Sequence, residues 1–322
     1  MNKRHILSWC LFDFANSSYS AVIVAVVFPV YFSHVIVGNG GGQGDLWWGR
    51  AISLSMAIIA LTSPFLGGIA DYAGLRKRFL FAYTCLCVLS VASFSVLQKG
   101  MVMEGFLLIV LANIGFEGGL VFYNAFLPEI TSKDHQGRVS AWGFGVGYAG
   151  SILSLLIAIV LVKKGYYVLT WLSVAFLFTI FSAPAFLFLH SDRKHGISAL
   201  DASFKGLKYA VETLKEIWER GEVRKFLLAY LIYEDGVNTV IVFSSLFAAT
   251  TLGFNTEELI FLYLAVQVTA LGGAFLMAKA SDFWGPKAIV RLSLILWAVV
   301  AMLAYFIETK IQFWVIAVIA GV

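Results

Sequence analysis

The sequence predicts an all-α polytopic membrane protein built as two helical bundles, and three observations carry that prediction. Hydrophobic residues make up 60% of the chain and charged residues 13%, with a mean hydropathy of +0.85. A soluble core of this length carries far more charge. Apolar runs recur at lengths that suit a helix crossing a hydrocarbon layer, which takes roughly 20 residues. Finally, a short charged junction between two such runs occurs twice: Gly67, Asp71, Gly74, Arg76 and Lys77 in the first copy, Asp282, Gly285 and Lys287 in the second. The acid closes one helix, the glycine three residues on allows positive φ, and the cations belong in a headgroup zone.

Taken in order, the runs fall at 9–37, 47–70, 79–97, 105–127, 139–162, 168–189, 226–249, 259–280, 288–307 and from 311 onward. The first run is too long for a secretory signal core and reads as an uncleaved anchor. The tenth is short before the chain stops, so the chain reads as truncated within that span. The division expected is a six-helix bundle over 1–190, an amphipathic linker over 191–225 and an incomplete second bundle over 226–322. Within the linker, Leu200, Phe204, Leu207, Val211, Leu214 and Trp218 recur three and four residues apart, the pattern of a helix lying along a membrane interface.

Charge placement sets the orientation. With the N-terminus in the cytoplasm, 18 of the 23 Lys and Arg residues fall on the inner side; the five outside are Arg50, Lys99, Lys163, Lys164 and Lys310. The Lys163–Lys164 pair is a local dissent from the positive-inside rule. The net charge of +4 reflects this topology and implies no nucleic-acid partner. Cys10, Cys85 and Cys87 lie in apolar runs and form no disulfide framework. The five histidines lack metal-ligand spacing, so neither a metal nor a cofactor is expected.

Polar groups inside the spans are the candidate functional residues. A carboxylate at the bilayer centre costs at least ~2.5–3.5 kcal/mol on insertion scales, so such groups face cavities. Glu117 lies 13 residues beyond Glu104, roughly 20 Å along its helix and near the midplane. Glu234 and Asp235 are similarly deep in the seventh run, and Asp13 is shallower in the first. Asn16, Tyr19, Asn113, Tyr123, Asn124, Asn238 and Gln267 stand around them. An interhelical hydrogen bond is the competing role for each neutral residue. The glycines at 143, 145, 147 and 150 suit close helix packing.

The first junction resembles the signature between spans two and three of the major facilitator superfamily, with Gly67, Asp71, Gly74, Arg76 and Lys77 in place and Tyr72 departing from it. Residues 12–19, 122–129 and 143–150 resemble the branch holding the fungal vacuolar amino-acid effluxers and their bacterial relatives. The resemblance implies a 12-span transporter whose central path is lined by spans one, four and seven. It implies that Asp71 caps a helix of the opposite half, that Arg76 or Lys77 reaches Glu129, and that Asp282 sits near Arg138, together forming a cytoplasmic gate. The arginine common in span four of proton-coupled relatives is absent here.

The function expected is secondary transport of a small polar solute, an amino acid first, by alternating access, with protons as the candidate coupling ion. Lipid or drug export on the same fold is the alternative. No catalytic pair or metal set stands at fixed spacing, so an enzyme is not expected. The partners are then a small-molecule solute and the lipid bilayer, with the protein a monomer in the plasma membrane if bacterial.

Overall fold

The computed structural model describes residues 3–190 and 199–321, with backbone alone at 199–203, 275, 278, 279, 281, 282 and 286. Eleven principal helices follow one another. They are α1 (Lys3–Val37), α2 (Gln43–Ala73), α3 (Arg76–Val96), α4 (Val102–Ala125), α5 (Gln136–Lys163), α6 (Tyr167–Phe188), α7 (Ala199–Glu219), α8 (Gly221–Thr250), α9 (Thr256–Trp284), α10 (Pro286–Ala304) and α11 (Lys310–Ala320). Among the described residues, nine helices are long and apolar enough to cross a membrane, and α11 is a shorter apolar helix. All ten expected spans are present as helices, each beginning somewhat before its expected start.

Helices α1 to α6 pack into one bundle. In it α1 lies against α5 and α6, while α4 runs beside α2 and α3. Helix–helix contact in lipid gains little from hydrophobic transfer, so it depends on close van der Waals approach through small residues. The glycines supply that approach. A Cβ added at Gly150 would sit 2.3 Å from the Phe14 carbonyl oxygen, and one at Gly143 would lie 2.5 Å from the Trp9 ring. At Gly115 the same atom would be 2.5 Å from the Cys87 backbone nitrogen, so α4 and α3 touch backbone to backbone. Gly145, on the other side of α5, meets nothing within 4 Å.

Aromatic side chains fill the space between these crossings. Phe28 stacks on Phe94 at 4.0 Å and meets Trp171 edge-on at 5.0 Å, all three almost wholly buried. Trp9 and Tyr123 are joined three ways. Their rings stack at 4.6 Å, Trp9 Nε1 donates to the Tyr123 carbonyl at 3.1 Å, and the Tyr123 hydroxyl donates to the Trp9 carbonyl at 3.2 Å. The cysteines are free, with Cys10 and Cys87 buried and Cys85 half-buried.

One departure from regular helix was not legible in the residue pattern. Within α1, the stretches Ser20–Val26 and Phe32–Val37 are π-helical, on either side of Pro29. Proline lacks the N–H that would bond four residues back, leaving the Ala25 carbonyl to the wider register. Helices α8 to α11 form the second group, and α9 packs along α5 as the main seam between the two.

The tight α1–α5 crossing yields a test. Gly150→Val is expected to lower the melting temperature in detergent, an overpacking cost of about 1–3 kcal/mol. Gly145→Ala, facing open space, is expected not to lower it. Thermal unfolding of the two variants beside the parent protein checks both.

Candidate functional site

The signature junction is built by two helix ends and a left-handed glycine. Gly74 closes α2 at φ 65°, and Leu75 N–H donates back to the Ala70 carbonyl at 2.9 Å. A residue with a Cβ is strained there, which accounts for glycine three places after Asp71. The turn aims Arg76 at two acids, Asp71 at the end of α2 and Glu129 beyond the end of α4. Of the two cations expected to reach Glu129, Arg76 makes the contact; Lys77 donates to the Leu189 carbonyl at 2.8 Å. In the second copy of the junction, Gly285 has φ 80° and Lys287 is exposed. The side chain of Asp282 lies outside the described residues, and Arg138 stacks over Trp142 at 4.9 Å.

The polar residues inside the spans separate into two sets. One set is engaged between helices of the first bundle. Asn113 donates to Ser55 Oγ at 2.7 Å, tying α4 to α2; Tyr19 packs on Phe116 at 4.7 Å; Tyr123 is bonded to Trp9. Asn16, also buried, donates to Asp13 at 3.4 Å. Asp13 itself is half-buried at the α1–α5 crossing, where its carboxylate borders Gly143 and Gly147. Asn124 is exposed at the end of α4.

The other set lies on α4 and α8, helices of different groups. Glu117 of α4 and Glu234 of α8 are both half-buried and close enough for their charges to act on each other. Asp235 and Asn238 are exposed on α8. Nearby, a cavity of about 370 Å³ runs between α1, α5 and the second group of helices. Its walls are mainly apolar, and Ser20, Tyr148, Ser244, Tyr263 and Gln267 are the polar residues named here. Tyr263 and Ser244 share a hydrogen bond, and the buried Oε1 of Gln267 has no protein partner. The π-helical turn of α1 begins at Ser20, on the wall of this cavity.

On the face opposite the signature junction, two sets of polar contacts join the helix groups. Asp45 accepts from Ser33 at 2.6 Å, from Asn39 at 3.0 Å and from Thr250 of α8 at 3.1 Å. Lys163, at the end of α5, pairs with Glu257 of α9 at 3.8 Å and lies over the Phe261 ring. The candidate residues drawn from the sequence did not include Asp45, Thr250, Lys163 and Glu257. In the sequence, Lys163 stood out only as a charge dissent, and its pairing with Glu257 could not be read there.

Two groups of membrane-length helices, packed against one another with a cavity between them, define a polytopic membrane protein of two helical groups. The comparisons with known proteins name it further. Residues 50–322 match the family described as vacuole effluxer Atg22 like, and the chain belongs to that family. It is 31% identical over 329 residues to the uncharacterized MFS-type transporter YxiO of Bacillus subtilis, covering 98% of this chain and 76% of that protein. It is 23% identical over 350 residues to autophagy-related protein 22-1 of Penicillium rubens, covering 81% of this chain and 58% of that protein. The fold matches the E. coli xylose transporter XylE in a partially occluded inward-open conformation, with a TM-score of 0.64 at 14% identity over 99% of this chain and 80% of that one. A second structure, the MFS proton:xylose symporter XylE bound to 6-bromo-6-deoxy-D-glucose, matches with a TM-score of 0.66 at 15% identity, covering 99% and 78%. The chain is therefore a multi-pass membrane transporter of the major facilitator type and not an enzyme.

The three-residue cluster at the junction can be tested directly. Exposed ion pairs contribute about 0.2–1 kcal/mol each. Arg76→Gln leaves Asp71 and Glu129 without their shared cation and is expected to lower the melting temperature by a few degrees. Arg76→Lys is expected to recover only part of it, because an ammonium lacks the planar fork that serves two carboxylates at once.

Proposed function

We propose that the protein moves a small polar solute, an amino acid first among the classes, by alternating access between a bundle over 1–190 and one over 226–322, with protons as the coupling ion. The observation that carries this reading is that Glu117 of α4 and Glu234 of α8, both half-buried, come from different groups of helices and lie near enough for their charges to interact. A carboxylate at that depth is retained at a cost of several kcal/mol where it serves a path. Two of them can meet the ammonium group of a zwitterion or take up protons as the crevice changes sides. The resemblance to amino-acid effluxers and the family's description as vacuole effluxers support outward movement. The 18:5 distribution of cations supports a cytoplasmic N-terminus, with the signature junction on the inner side.

The mainly apolar wall of the neighbouring cavity favours a second reading, export of an apolar solute such as a drug or lipid. Proteoliposome assays separate the two. Counterflow of radiolabelled amino acids across a pH gradient is expected for the parent protein, and Glu117→Gln and Glu234→Gln are each expected to cut it at least tenfold. Lipid or dye movement with no amino-acid counterflow overturns the amino-acid reading. Transport by Glu117→Gln at the parental rate and pH dependence overturns the role of that carboxylate.

The contacts on the opposite face then act as a latch that holds that side shut. Lys163→Glu sets two acids against each other, and by the scale of exposed pairs is expected to raise labelling of a crevice cysteine from that side roughly two- to fivefold. Lys163→Glu combined with Glu257→Lys is expected to restore parental labelling.

A further inference from the structure

We infer that α7, the linker helix, lies in the membrane surface with lipid acyl chains covering its apolar stripe, and that it is clamped to the signature junction. The helix has three distinct faces. On the first, Gly206 and Ala210 are buried against the end of α2. A Cβ on Gly206 would sit 2.6 Å from Ile69 Cα, and one on Gly68 would sit 2.6 Å from the Gly206 carbonyl oxygen. The two backbones therefore touch, and only glycine at both positions permits it.

The second face lies about a quarter turn away, since successive helical residues are about 100° apart. It carries Phe204, Leu207, Val211, Leu214 and Trp218, which are between 39% and 71% exposed. Leu200, which begins the stripe in sequence, has its side chain outside the described residues. The third face is charged: Lys208 pairs with Glu212 and Arg220 with Glu216, all of them well exposed. Over residues 199–220, Lys205, Lys208, Lys215 and Arg220 balance Asp201, Glu212, Glu216 and Glu219.

The position of the clamp identifies the occupant of the stripe. Gly68 is in the last two turns of α2, where that span leaves the hydrocarbon, so α7 is held at the depth of the bilayer boundary. From there the apolar face turns toward acyl chains and the charged face toward water. Trp218, with Arg224 over its ring at 5.3 Å, suits the interfacial layer. Because the charged face is balanced, attraction to anionic headgroups is not what holds the helix. The binding is by apolar burial, and a neutral bilayer suffices.

The clamp also reaches the junction itself. Lys205 of α7 lies 5.9 Å from the centre of the Tyr72 ring. Tyr72 is the position where this chain departs from the superfamily signature, and the linker brings a cation to it. A shift of α7 on the membrane surface is thereby passed to the turn that carries Asp71 and Arg76.

The test uses the full chain in phosphatidylcholine vesicles, with spin labels on single cysteines in a background lacking Cys10, Cys85 and Cys87. Labels at Leu207→Cys and Leu214→Cys are expected to collide with oxygen in preference to a water-soluble nickel chelate. The oxygen-to-nickel ratio there should be several-fold higher than at Lys208→Cys and Glu212→Cys on the charged face. Nickel-favoured collisions on the stripe overturn the proposal in favour of a solvated helix. Labels shielded from both reagents overturn it in favour of a protein cover, and a lipid pattern that appears only after anionic lipid is added overturns the apolar basis of binding.

Discussion

Close approach of helices through glycine is the constraint on which this structure depends. Lipid chains are as apolar as leucine, so a helix gains little by exchanging lipid for another helix unless the two surfaces fit tightly. The α1–α5 crossing satisfies this with Gly143, Gly147 and Gly150 against Trp9, Ser17 and Phe14. The α3–α4 crossing does it with Gly115 against Cys87 and Gly118 against the Tyr83 ring. A single added carbon would meet backbone at Gly115 and Gly150, a packed ring at Gly118 and Gly143, and the Ser17 hydroxyl at Gly147. Buried hydrogen bonds such as Asn113 to Ser55 add direction to the fit.

That constraint also separates what could be read in the residues from what could not. The positions of the spans and the turn at Gly74 followed from apolar length and from the spacing of an acid, a glycine and cations, both local properties. So did the packing role of Gly143, Gly147 and Gly150 in α5, though not of Gly145, which meets nothing within 4 Å. The polar residues were harder, because a midplane Asn or Tyr is equally suited to a path and to an interhelical bond until its neighbours are known. Asn113, Tyr19 and Tyr123 have such neighbours, whereas Glu117 and Glu234 are half-buried carboxylates from different groups of helices. Lys163 looked anomalous by charge counting because its partner, Glu257, lies far along the chain on another helix. The π-helical turns of α1 were hidden for a related reason: Pro29 marks a break in the ladder without saying which way the helix adjusts.

The contacts within the bundles and those between them differ in kind. Within bundles, the tight crossings bring a hypothetical Cβ to between 2.3 and 2.9 Å of its neighbours. Between them, Gly49 meets the Phe243 ring at an ordinary 3.4 Å, and the polar links include an ion pair at 3.8 Å and the bonds of Asp45 and Asn39 to Thr250 at 3.1 and 3.3 Å. Exposed pairs of this sort contribute about 0.2–1 kcal/mol each, whereas overpacking a tight crossing costs about 1–3 kcal/mol. In the alternating-access mechanism proposed above, these weaker contacts are the ones that part as one group of helices turns against the other along the α5–α9 seam. In that proposed mechanism the separation of Glu117 and Glu234, which come from different groups, changes as the groups turn, so the charge state of the two carboxylates and the side that opens depend on one another.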